Sequence, residues 1–412
     1  MSEKPKRAMR QPHASRDRSV GWLGLGFGIF FAGWAVQISY WGLWLQSTGL
    51  GAFDIAAVIA IGLAARAISV AMVYPLLVRY LGLIATTRIA LTVASAGSIG
   101  FVFSPHFPIL LLLSVLFGFT FPMVMPINET LLSIAVTRGE STYGVIRRAG
   151  PGGFIAGLCA SAAVTGVFGA SRLCVLMLGL CVVGAVHALV PWPKLAVEWT
   201  RTGLDEHAES HQSALATVWP VLIVVSLIQA SHGAYFGYAA ILLERHTTNQ
   251  VVIGGILILA VISEIVAFTL FDSVGSKFSV SAIMTVSASL CVVRWGVIAL
   301  APGIAAVLAT QLLQSFTFSA SHACYARYVR ESVPASRWAS AHGLYAAFAM
   351  SLSVGAAILL AGAFGGAEHA GWSFGSMALL AAISLVVSLI RPVRLVMTAA
   401  VANRAPAGTA SE

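Results

Sequence analysis

The chain has 412 residues, of which 58% are hydrophobic and only 9% charged, with a mean hydropathy of +0.89 and a net charge of +9. A soluble globular chain carries roughly 25% charged residues, so this one cannot cover a water-facing surface and must face lipid over most of its area. The basic excess is not a stripe for nucleic acid: six of the 24 Lys and Arg (Lys4, Lys6, Arg7, Arg10, Arg16, Arg18) fall in the first eighteen residues and most others at the ends of apolar runs, a pattern that orients a membrane protein.

The chain opens on a basic tail, 1–19. Apolar stretches long enough to cross a bilayer then predict twelve transmembrane helices, at 20–46, 54–78, 87–104, 107–135, 143–167, 172–190, 217–243, 251–271, 279–300, 304–328, 338–363 and 371–390. The first is too long for the apolar core of a signal peptide and is followed by further spans. Connections are short except 191–216, where Pro191, Pro193, Lys194, Glu198, Arg201, Asp205, Glu206 and Glu209 make a polar linker. It separates two six-helix halves, 20–190 and 217–390, offset by 197 residues, and a tail, 391–412, closes the chain. The expected fold is an all-α membrane protein whose two pseudo-repeat halves surround a central cavity, a layout common among transporters. Pro75, Pro122, Pro126, Gly150 and Pro151 inside the spans allow kinks and close helix approach.

With the amino terminus in the cytoplasm, eighteen Lys and Arg fall on the cytoplasmic side and only Arg172 and Arg245 outside. This asymmetry predicts cytoplasmic termini and a cytoplasmic linker, in a plasma membrane of the bacterial inner-membrane type.

Two carboxylates lie well inside spans, Glu129 and Glu264, accompanied by Arg66, Arg147, Arg148, Arg294, His232 and His322. Each would cost about 2.5–3.5 kcal/mol facing lipid, so they are expected to face a cavity or one another. Glu129 and Arg147 are equidistant from Arg138, the centre of the hairpin between the fourth and fifth spans. They should therefore meet at one depth, where the arginine can exchange its carboxylate for a substrate's. Arg66 and Glu264 stand 198 residues apart, close to the repeat offset, which sets a cation and an anion at equivalent places in the two halves. Counted from the outer helix ends, Arg294, His232, Glu264 and His322 form a ladder about 18 Å long, built from side chains suited to passing protons. Tyr235 and Tyr238 near His232 are candidates to line a pocket for a ring-bearing substrate. The binding set is thus Arg66, Glu129, Arg147, Tyr235 and Tyr238, and the proton-coupling set His232, Glu264, Arg294 and His322.

All five cysteines (Cys159, Cys174, Cys181, Cys291, Cys324) fall in apolar runs without metal-ligand spacing or a disulfide framework. No phosphate-binding loop, zinc-ligand spacing or G-x-S-x-G nucleophile motif occurs. The expectation is a non-enzymatic protein with no cofactor and no metal, driven by a gradient or by a partner.

At these residues the chain resembles the major facilitator superfamily, in particular the phenylpropionate transporter family related to lactose permease. The resemblance runs from about Trp22 to Pro392 and is carried by GLAARAISV (62–70), PINETLL (126–132), YGVIRRAGPGGF (143–154), LIQASHGAYFGYAA (227–240), SEIVAF (263–268), CVVRWG (291–296) and FTFSASHACYARYV (316–329). Tyr143, Gly144, Arg147, Gly150 and Phe154 look like that family's fifth-helix motif. Arg66, Glu129, His232, Glu264, Arg294 and His322 match its polar positions. The chain departs from the family at Ser39, Ala149, Arg148 and Pro151, and in the loop 79–88. The resemblance implies the superfamily fold and proton-coupled uptake of a small organic acid.

The expected partners are a small-molecule substrate, protons and the lipid bilayer, with no nucleic acid, and the chain is read as a monomer. Alternatives within transport are a proton-antiport exporter and a sugar or nucleoside symporter. A different class is a membrane solute sensor without turnover, disfavoured because such sensors usually append a sizeable soluble domain and the longest polar segment here is 191–216.

Overall fold

The computed structural model describes residues 13–103, 106–200, 211–334, 337–391, 393–394 and 396–397. The extreme tails and residues 201–210 of the predicted linker lie outside the described residues. Eleven helices among the described residues are long and apolar enough to cross a membrane. One of them, Ala52–Val102, has 51 residues, about 77 Å at 1.5 Å per residue, more than twice the roughly 30 Å of a hydrocarbon core. Gly82 divides it. Its φ of 80° is open to glycine at little cost, and the chain turns back there. The ring of Phe101, near the end of the second arm, lies 5.5 Å from that of Trp44, which stands near the end of the span before the first arm.

The twelve spans are therefore α1 (Arg18–Ser47), α2 and α3 (the arms of Ala52–Val102 before and after Gly82), α4 (Phe107–Thr137), α5 (Tyr143–Phe168) and α6 (Ala170–Leu189). The second half comprises α7 (Leu215–Glu244), α8 (Gln250–Phe271), α9 (Val280–Leu300), α10 (Ile304–Ser332), α11 (Trp338–Ala363) and α12 (Ala370–Leu389). A short helix, Lys194–Thr200, follows the first half and packs against it.

The sequence predicts a ten-residue loop over 79–88, and the structure replaces it with a single-residue reversal. The polar residues there find partners without leaving the helix. Thr86 and Thr87 donate to the carbonyls of Gly82 and Leu83 at 2.8 and 2.7 Å, and Arg88 Nε donates to Ala188 O at 3.0 Å.

The halves meet closely at the ends of the helices remote from the linker. A Cβ on Gly42 of α1 would collide with the Gly237 carbonyl of α7, and one on Gly362 of α11 with Ala56 of α2. A Cβ on Gly254 of α8 would stand 3.0 Å from Ala162 Cβ of α5. Small residues let these backbones approach, and the Tyr238 hydroxyl adds a hydrogen bond across the seam, donating to Ala52 O at 2.6 Å. The bundle is shut at that face.

Four spans widen into π-helical turns near their middles: Val36–Tyr40 in α1, Ser69–Val73 in α2, Ser315–Ala320 in α10 and Tyr345–Leu352 in α11. Such turns re-aim the side chains they carry and recur at functional sites. Here the turns in α1 and α11 supply Gln37, Ile38 and Met350 to the space between the halves.

Candidate transport site

A cavity enclosing about 770 Å³ of empty space, part of it open to solvent, lies between the halves. Its wall is mostly apolar and aromatic. Trp34 and Trp41 come from α1, Phe101 from α3, Phe117 from α4, Phe236 from α7 and Met350 from α11. Charge enters it at Arg66 of α2. The guanidinium lies 4.5 Å from the ring centre of Trp34, a cation–π arrangement. Among the described residues it makes no ion pair or hydrogen bond. Its polar neighbour is Tyr345 of α11, whose hydroxyl shares a 2.8 Å hydrogen bond with His322 Nδ1.

Nearer the linker face, the hairpin expectation is met geometrically: Arg147 Nε donates to Glu129 Oε1 at 3.0 Å. The arginine also lies over the rings of Phe31 (4.7 Å) and Phe27 (5.4 Å) of α1. The Arg147 and Glu129 side chains are 26% and 32% exposed, so water reaches the pair. Gly150, one turn beyond, makes room for the guanidinium, since a Cβ there would crowd it. Arg148 is exposed.

The second half holds a separate polar knot. Arg294 of α9 is fully buried, stacked on Trp295 at 4.4 Å and Tyr235 at 5.0 Å. It donates to Gln314 Oε1, to Thr317 Oγ1 at 3.1 Å and to Gln311 Oε1 at 3.3 Å, all on α10. Gln314 Nε2 in turn donates to Glu264 Oε1 of α8 at 2.8 Å. The cation and the carboxylate are thus joined through an amide rather than face to face. His232 sits at a break in α7 and reaches Thr317 Oγ1 at 3.3 Å with Nε2, while Nδ1 contacts Ile228 O at 3.0 Å.

The structure brings Arg294, His232 and Glu264 into this one network. It places His322 beside it, stacked on Phe318 and bonded to Tyr345 on the cavity side. Tyr235 belongs to the knot, its hydroxyl donating to Gln311 Oε1 at 3.2 Å, and Tyr238 is spent on the closed seam. Arg66 and Glu264, paired by the repeat offset, differ in surroundings: one is bare in the cavity, the other tied to Gln314. Sequence reasoning passed over Gln37, Gln311, Gln314, Thr317 and Tyr345. A search for amides inside apolar runs would have found the three glutamines.

Twelve spans around an aromatic-walled cavity with a lone cation define an integral membrane transporter of the major facilitator type, a non-enzymatic carrier of small molecules. The chain belongs to the MFS_1 like family, whose model matches residues 22–376. Over 376 residues it is 24% identical to the probable 3-phenylpropionic acid transporter of Escherichia coli (strain K12), covering 91% of this chain and 98% of that protein. The crystal structure of a point mutant of the nucleoside transporter NupG matches with a TM-score of 0.75 at 14% identity, covering 92% of this chain and 99% of that one. The crystal structure of the peptide transporter POT in complex with sulfate matches at 0.68 and 11% identity, covering 96% and 98%. At these identities the solved structures speak for the fold alone.

Proposed function

We propose that the protein is a proton-coupled uptake carrier for a small organic acid bearing an aromatic ring, of the phenylpropionate kind. The observation that carries this reading is Arg66, a cation on a Trp34 face with no counter-ion among the described residues, in an otherwise aromatic cavity. A partly buried charge of this kind is costly, and a carboxylate ligand supplies both its partner and, through the attached ring, contacts for the walls. The 3-phenylpropionic acid in the name of the Escherichia coli relative supports the same chemistry.

Arg147 and Glu129 sit nearer the linker face, where the guanidinium can pass from its own carboxylate to the substrate's. Coupling is assigned to the amide-bridged pair. Ionised Glu264 accepts from Gln314 Nε2, which leaves Gln314 Oε1 for Arg294. Protonated Glu264 becomes a donor. The amide then turns over, Arg294 meets an N–H in place of an oxygen, and the contact between α9 and α10 loosens. In this reading the protein is a monomer in a bacterial inner membrane, with both termini and the linker cytoplasmic as the eighteen-to-two split of basic residues directs.

The test is uptake of radiolabelled phenylpropionate into proteoliposomes with an imposed pH gradient. Accumulation inside an alkaline lumen is expected. Gradient-driven extrusion would make the protein an exporter, and uptake indifferent to the gradient would remove proton coupling.

A further inference from the structure

One polar group in the cavity wall remains unused by this reading. Gln37 lies in the π-helical turn Val36–Tyr40 of α1 and lines the cavity beside Trp34, Trp41 and Arg66. Its Oε1 is shut off from solvent and accepts no hydrogen bond, and its amide nitrogen has no partner among the described residues. Buried polar groups are normally paired, and an orphaned amide in a cavity wall is a standing cost that a ligand can relieve. A glutamine offers one acceptor and two donors. A hydroxyl matches it in either orientation of the amide, because it donates to the oxygen or accepts from the nitrogen.

The position adds a length. The guanidinium of Arg66 is on Trp34, and Gln37 is three residues further along the same helix, about 4.5 Å along its axis. Trp41 and Phe101 meet edge to face at 5.1 Å, and Phe117 lies 6.2 Å from Phe101, so rings border the space beyond the cation. Arg66, Gln37 and these rings line one cavity, so the ring of an acid held on Arg66 shares its space with the Gln37 amide.

We propose that Gln37 is a specificity-determining residue that reads a ring hydroxyl, so that the favoured substrate is a hydroxyaryl carboxylate rather than the unsubstituted aryl acid. This rests on Arg66 as the anchor of the carboxylate. The contact has no role in proton coupling. It discriminates among acids that Arg66 already accepts, as sites built to bond a hydroxyl do.

The experiment is isothermal titration of the purified full-length protein with phenylpropionate, its meta- and para-hydroxyphenyl analogues, and the corresponding alkylphenol lacking the carboxylate. One hydroxyphenyl acid is expected to bind about tenfold more tightly than phenylpropionate. In Gln37→Met and Gln37→Leu that ratio falls to within about twofold of unity. In Arg66→Lys both acids weaken while the ratio persists. A wild-type ratio at or below one, or a tenfold ratio that survives both Gln37 variants, overturns the assignment of Gln37 and leaves the anion reading intact. Binding of the alkylphenol as tightly as the hydroxyphenyl acids overturns the anion reading as well.

Discussion

The guanidinium of Arg66 stands 4.5 Å from the ring centre of Trp34, and no carboxylate among the described residues pairs with it. Nature rarely leaves an arginine inside a membrane protein without a counter-charge. The position is therefore set up for an anion that arrives from outside the chain.

That arrangement predicts opposite effects on stability and on binding. Arg66→Met removes an uncompensated charge and is expected to raise the apo melting temperature by a few degrees, a gain of about 1 kcal/mol or more. It should also abolish binding of aryl carboxylates, which Arg66→Lys weakens about tenfold because lysine lacks the planar fork and stacks less well. Thermal denaturation and titration calorimetry on the same samples check both. A variant that is less stable and still binds would show that Arg66 holds the helices together.

Glu129 and Arg147 should behave the other way. Their ion pair is about a quarter to a third exposed, and pairs in such surroundings contribute about 1 kcal/mol or less. Arg147→Lys and Glu129→Gln are expected to leave the melting temperature nearly unchanged. Transport should fall by about tenfold or more, since the bidentate fork and its partner are lost. Wild-type affinity in Arg147→Lys would make the arginine structural.

Glu264→Gln tests the coupling step. A permanently neutral side chain at that position still lets the loaded carrier reorient, so exchange between equal substrate pools should survive while accumulation against a gradient fails. Gln314→Leu, which removes the bridge to Arg294, is expected to lose both, because Arg294 is left buried and short of acceptors. The measurement is substrate-induced alkalinisation of a lightly buffered suspension of de-energised cells. Proton uptake at the wild-type ratio in Glu264→Gln would take the coupling role away from this carboxylate.

Topology is tested with reporter fusions after Arg201 and after Glu368. The asymmetry of basic residues predicts a cytoplasmic signal at the first and a periplasmic one at the second. The reverse result at either site would break the proposed orientation.

Much of the architecture was legible because lipid imposes length. Runs near twenty apolar residues mark the spans, and the equal spacing of Glu129 and Arg147 about Arg138 brings them to one depth. Depth counting does not carry rotation about a helix axis. It set His322 in line with Arg294, His232 and Glu264, whereas the ring of Phe318 stands between His322 and His232 and its hydrogen bond goes to Tyr345. The same blindness hid Gln314, whose role depends on pointing at two charged residues from two other helices. Tyr238 read as a pocket residue by its neighbours in sequence, and only the close packing of α7 on α2 shows its hydroxyl committed to Ala52.

The four π-helical turns have a consequence for how such a carrier diversifies. Adding or removing one residue in a regular helix rotates everything beyond it by about 100°, which would turn lipid-facing side chains inward along the rest of the span. A helix that already holds a wide turn can absorb the change there, between a π and an α arrangement, and keep its two ends in register. Val36–Tyr40 and Tyr345–Leu352, which supply Gln37, Ile38 and Met350 to the cavity wall, are thus the stretches where gain or loss of a single codon can re-face the cavity. Descendants of this gene can acquire a new cargo by that route while the outer surface of the protein stays as it is.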